Sequence, residues 1–96
     1  MIREINGKKY DFQITRKGIR AAENAGMKMQ NIAEQPMLAL SYLWYAAIYA
    51  KQPMQFNKAC DLLDDYLDSE ECTESIQDML TVLSDEYVEV FGLAAE

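Results

Sequence analysis

Apolar and polar positions alternate at the amino end of the chain and then switch to a helical spacing that continues toward the carboxyl end. The alternation is centred on Asn6-Gly7, a dipeptide suited to φ > 0 at both central positions of a type I′ turn. It predicts a β-hairpin with strands Ile2 to Ile5 and Lys8 to Ile14. Pairing across the turn sets Ile5 opposite Lys8, Arg3 opposite Tyr10 and Met1 opposite Phe12. One face then carries Met1, Ile5, Tyr10, Phe12 and Ile14, with Glu4, Lys9, Asp11 and Gln13 on the other. A lone hairpin is marginal in water, so that apolar face must rest on helices or on a neighbouring chain.

Four helices are expected after the hairpin. Thr15 is placed to cap the first, Arg16 to Ala25, which Gly26 closes. Its buried face is thin, with Ile19, Ala22 and Ala25 interrupted by Gly18, and its exposed face is basic. A connector holding Met27, Met29 and Ile32 leads to Pro36, which suits the first position of a second helix running to about Ala50, before Pro53. That helix is apolar on every side except at Ser41. Met37, Leu40, Trp44 and Ile48 form one face, Leu38, Tyr42, Tyr45 and Tyr49 a second, and Ala39, Leu43, Ala46 and Ala50 a third. A helix of this kind is buried all round, and a small domain seldom surrounds one unaided, so surplus apolar surface is expected here. The third helix, Phe56 to Asp68, places Phe56, Ala59, Cys60, Leu63 and Leu67 inside and Asp61, Asp64, Asp65 and Asp68 outside. The fourth, about Glu74 to Phe91, has the cleanest period, with Ile76, Met79, Leu80, Leu83, Tyr87, Val90 and Phe91, and Gly92 as its stop. The fold class is therefore mainly α, an N-terminal β-hairpin followed by a small bundle of about four helices. One domain spans residues 1–96, with the hairpin in 1–15, the bundle in 16–92 and a tail in 93–96.

Length adds one constraint. With 96 residues, half of them hydrophobic, the chain folds but builds a thin core, and self-association is a common way to add burial. Charge adds another. Sixteen acidic against nine basic side chains give a net charge of −7, which argues against a protein built to neutralise nucleic-acid phosphates. The balance is uneven, net +4 over residues 1–53 and net −11 over residues 54–96. A chain divided in this way attracts copies of itself head to tail. Arg16, Lys17 and Arg20 on the first helix and Asp61, Asp64, Asp65 and Asp68 on the third are the residues expected to self-associate, making a homo-oligomer.

Candidate chemistry is sparse. There is no histidine, the commonest general base and neutral metal ligand, so no catalytic residue, metal or cofactor is expected. An EF-hand loop counted from Asp61 fails, because Tyr66 stands where glycine is needed and Cys72 where glutamate is needed. Cys60 and Cys72 form no CxxC pair and are expected to be reduced thiols. The N-terminus lacks the apolar core of a signal peptide, and the run from Met37 to Ala50 is 14 residues where a membrane span needs about 20, so a cytoplasmic protein is expected. The stripe of Leu38, Tyr42, Tyr45 and Tyr49 serves equally well as core or as partner-binding interface, since tyrosine joins an apolar body to a polar tip.

The layout resembles a known family. The hairpin Ile5-Asn6-Gly7-Lys8-Lys9-Tyr10-Asp11-Phe12, the basic first helix, the Ala-rich and Tyr-rich helix breaking at Lys51-Gln52-Pro53, the acidic helix ending Asp64-Asp65-Tyr66-Leu67-Asp68 and the closing amphipathic helix together resemble tail assembly chaperones of long-tailed bacteriophages and prophages. The resemblance covers nearly the whole chain and implies a non-enzymatic protein of the short form. Such a protein coats the helical tape-measure protein before the tail tube forms, so the tape-measure protein and the tail tube protein are the implied partners. The alternative is a small acidic protein that occupies a basic site on a host protein as a nucleic-acid mimic, for which the acidic carboxyl half is the warrant.

Overall fold

The computed structural model describes residues 1–92; the tail expected at 93–96 lies outside the described residues. Strands β1 (Ile2–Ile5) and β2 (Lys8–Asp11) pair antiparallel in the expected register, with Ile5 opposite Lys8 and Arg3 opposite Tyr10. Asn6 at φ 52° and Gly7 at φ 77° form the turn. The second strand stops earlier than expected, because beyond Asp11 the chain turns onto the helices. Phe12 N–H still donates to the Met1 carbonyl at 2.7 Å, but Gln13 N–H donates to the Ala47 carbonyl at 2.9 Å. Two residues of the hairpin change places with respect to water. Met1 is exposed, and Arg3 is buried, because it sits two residues from Ile5 and so shares the inner face.

Five helices follow, α1 (Arg16–Ala25), the single turn α2 (Asn31–Glu34), α3 (Pro36–Tyr49), α4 (Phe56–Asp68) and α5 (Ile76–Phe91). Thr15 caps α1, its hydroxyl accepting from Gly18 N–H at 3.1 Å, and Gly26 ends it at φ 122°. The turn α2 lies in the Met-rich connector, held by Asn31, whose side chain accepts from Lys28 N–H and donates to Gln35. Ser75 caps α5 by accepting from Asp78 N–H, and Gly92 ends it in the left-handed region at φ 76°.

Helix α3 is the axis of the molecule. Helices α1, α2, α4 and α5 all pack on it, and from Ala39 to Ile48 every residue except Ser41 is buried. The expected surplus of apolar surface is therefore corrected from Ala39 to Ile48, where the chain covers the helix by itself, and remains only at Met37 and Leu38. Small residues make that possible. Gly18, which appeared to interrupt the inner face of α1, is the point of closest approach, since a Cβ there would overlap the Ala46 carbonyl. Ala25, expected inside, is exposed instead. The hairpin closes another sector, with the Phe12 ring 4.4 Å from that of Trp44.

The two outer helices bury narrower stripes. In α4 the fully buried residues are Ala59, Leu62, Leu63 and Tyr66, so the inner face is rotated toward Leu62 and Tyr66, leaving Phe56, Cys60 and Leu67 half-buried. In α5 only Met79, Leu83 and Tyr87 are fully buried; Leu80 and Val90 are half-buried, and Ile76 and Phe91 are exposed.

Candidate functional site

Surfaces, rather than a cleft with reactive groups, are what the fold presents. The four residues expected to bind a partner are split by the core. Tyr42 and Tyr45 are buried at 8% and 7% exposure, stacked on or edge-on to Phe56 at 4.8 and 5.5 Å. Placing them on a partner-binding face is corrected, since α4 covers that side of α3. Leu38 is exposed, and Tyr49 is half-buried beside Tyr45, with the Lys17 ammonium 6.0 Å from its ring centre. The apolar surface of α3 that does reach solvent lies at its beginning, where Met37 and Leu38 are 48% and 38% exposed; Met29, in the connector before α2, is 53% exposed. The hydrophobic pattern hid this because Met37 and Leu38 continue the apolar run of a buried helix. The exposed Gln35-Pro36 entrance marks where that run leaves the core.

Charged residues fall on separate exteriors. Arg16, Lys17 and Arg20 are exposed on α1, and Asp61, Asp64, Asp65 and Asp68 are exposed on α4. Among the described residues the ion pairs are Arg3 with Glu74 and the amino terminus with Asp11. Among the described residues neither set is therefore neutralised by an ion pair; Asp65 accepts a hydrogen bond from the Asn6 side-chain amide at 2.9 Å. Arg16 and Arg20 also line a groove of about 280 Å³ between α1 and the end of α5, with Ile19, Glu23, Val90 and Phe91 as its other walls.

The acidic run contains one residue of a different kind. Glu74, which follows the exposed aspartates of α4 in the chain, grips the buried Arg3 in a two-pronged pair, with Arg3 Nε and Nη2 donating to its two carboxylate oxygens at 2.8 Å each. Tyr66 Oη donates to the same carboxylate at 2.6 Å. The Arg3 donors, opposed by burial and helped by Tyr66, hold the Glu74 carboxyl below the usual carboxylate range. Burial, then the bond to Glu74, pushes the Tyr66 hydroxyl up to about 12. Burial works against the charge on Arg3, but Glu74 outweighs it and the guanidinium is held above its ordinary value. The guanidinium also lies 4.8 Å from the Phe12 ring centre. The network joins the hairpin, α4 and the loop before α5, so it works as a clasp. The signal for it was the place of Arg3 opposite Tyr10.

Burial pushes the Cys60 thiol up; Ser41 acts against the rise, and Asp64 and Asp61 add to it, so the group is a protonated thiol near neutral pH. Among the described residues no three of Cys, Asp and Glu come together as metal ligands, and no helix is long and apolar enough to cross a membrane.

The family comparison covers most of the chain. The family described as a domain of unknown function, DUF5055, matches residues 1–89. The chain belongs to this family. No curated protein and no solved structure matches it. Residues 1–89 take in the hairpin, the clasp, α1 to α4 and nearly all of α5.

Proposed function

We propose that this protein is a phage tail assembly chaperone, a non-enzymatic binder that keeps the tape-measure protein soluble in the bacterial cytoplasm until the tail tube protein polymerises around it. The observation that carries the reading is the exposure of Met29, Met37 and Leu38 on a chain of net charge −7. A protein that holds an apolar helical client needs apolar side chains in water when the client is absent, and methionine adapts its shape to irregular partners. The net negative charge of the chain keeps the loaded complex dispersed by mutual repulsion. The resemblance in the order of hairpin and helices supports the same reading.

The test is co-expression with a tape-measure protein. Wild type is expected to keep that protein in the soluble fraction, and Met37→Asp with Leu38→Asp to lose at least tenfold of this effect. Both residues are exposed, so circular dichroism of the variant is expected to match wild type. A client that stays insoluble with wild type overturns the proposal. A second reading, an acidic protein occupying the basic site of a host nucleic-acid-binding protein, is favoured by the four exposed aspartates of α4, which form no ion pair among the described residues. It prevails if the client stays insoluble while wild type displaces DNA from such a protein and Asp64→Lys with Asp68→Lys does not.

A further inference from the structure

We propose that the groove between α1 and the end of α5 receives the acidic face of α4 from a second copy of this chain. The groove joins apolar and cationic surface. Ile19 is buried in its wall, Phe91 is 45% exposed, and Arg16 and Arg20 stand in water with no ion-pair partner among the described residues. Glu23, also in the wall, is its one carboxylate among the described residues and lies three residues beyond Arg20 on α1.

Helix geometry matches the two surfaces. Arg16 and Arg20 are four residues apart, as are Asp61 and Asp65, and Asp64 and Asp68. A rise of about 1.5 Å per residue separates the members of each pair by about 6 Å along their own axis. Two helices laid side by side therefore form two ion pairs at once. Leu67, half-buried on α4 and three residues beyond Asp64, brings an apolar side chain to the same edge, where Phe91 can meet it. Single exposed ion pairs contribute little, so two pairs and an apolar contact must act together.

Groove and acidic face are different surfaces of one molecule, so the contact is head to tail. Each pair keeps one free groove on one copy and one free acidic face on the other, and the assembly grows as an open chain or closes as a ring. This contact stands on geometry and charge and needs no client.

Sedimentation velocity tests it. At 50 mM NaCl the average mass of wild type is expected to rise with concentration up to 0.5 mM. At 1 M, where the Debye length is about 3 Å, it is expected to return to the monomer. Arg16→Glu with Arg20→Glu removes the groove, and Asp64→Lys with Asp68→Lys removes the acidic face; each variant alone is expected to bind itself at least tenfold more weakly. Mixed as neutral variants, Arg16→Gln with Arg20→Gln and Asp64→Asn with Asp68→Asn retain one intact acidic face and one intact groove between them, and they are expected to stop at a one-to-one pair. The milder Arg16→Gln with Arg20→Gln is expected to weaken association too and serves if charge reversal unfolds the chain. A wild type that stays monomeric at 50 mM salt overturns the proposal. So does an assembly that survives both sets of changes, or a mixture whose association is no stronger than that of either variant alone.

Discussion

Helices α3 and α5 teach opposite lessons about apolar pattern. Helix α5 has the most regular period in the chain, yet its stripe is sunk only at Met79, Leu83 and Tyr87, and its ends, Ile76 and Phe91, stand in water. Helix α3 has no preferred face, yet nine of its residues are buried. A regular period marks a helix lying on a core from one side. An apolar helix without a period is the core itself, and it is covered by whatever the chain supplies. Here the cover is complete in the middle of α3, through Gly18, Phe12 and α4, and fails at its beginning, where Met37 and Leu38 emerge.

The sharpest way to break this contrast is at its centre. Trp44, fully buried between Phe12 and Tyr66, is expected to cost about 4–5 kcal/mol on change to alanine, read as a shifted midpoint in urea. A cost below about 1 kcal/mol would mean that α3 is open on that side.

The clasp tests how the hairpin is held against the helices. Glu74→Gln leaves the Arg3 guanidinium buried without its counter-charge and is expected to cost about 3–4 kcal/mol at neutral pH. The folded-state pKa of Glu74 is lowered. Its stabilisation is therefore complete above the unfolded glutamate value of about 4.3 and disappears as pH falls through the lower folded value. The charge-dependent part of the gap between wild type and Glu74→Gln is expected to close in acid, below about pH 4.3. A gap that stays constant from pH 7 to pH 3 would show that the clasp carries no charge-dependent stability.

The smallest effect sharpens the reading of α5. Leu83→Ala is expected to cost about 2–3 kcal/mol, because the site is closed. Ile76→Ala, on the same stripe but 43% exposed, is expected to stay within about 0.5 kcal/mol. Equal costs in chemical denaturation would mean that the stripe is buried along its whole length.

What the sequence determined by itself is local. The type I′ turn at Asn6-Gly7, the strand register it imposes, the cap at Thr15, the stops at Gly26 and Gly92 and the start at Pro36 each depend on residues a few positions apart, and their φ and hydrogen-bonding demands are written in those residues. The four aspartates of α4 were legible as an outward face for the same reason, since helical spacing alone separates them from Ala59 and Leu63. Tertiary structure decided the rest. Nothing local distinguishes Tyr42 and Tyr45, which are covered, from Leu38, which is not, because an all-apolar helix carries no directional signal. Glu74 lies 71 residues from Arg3, and it follows the exposed aspartates of α4 in the chain. Packing the hairpin against α4 and the loop before α5 brought the two together, and only a buried guanidinium turns one carboxylate of an acidic run into a clasp.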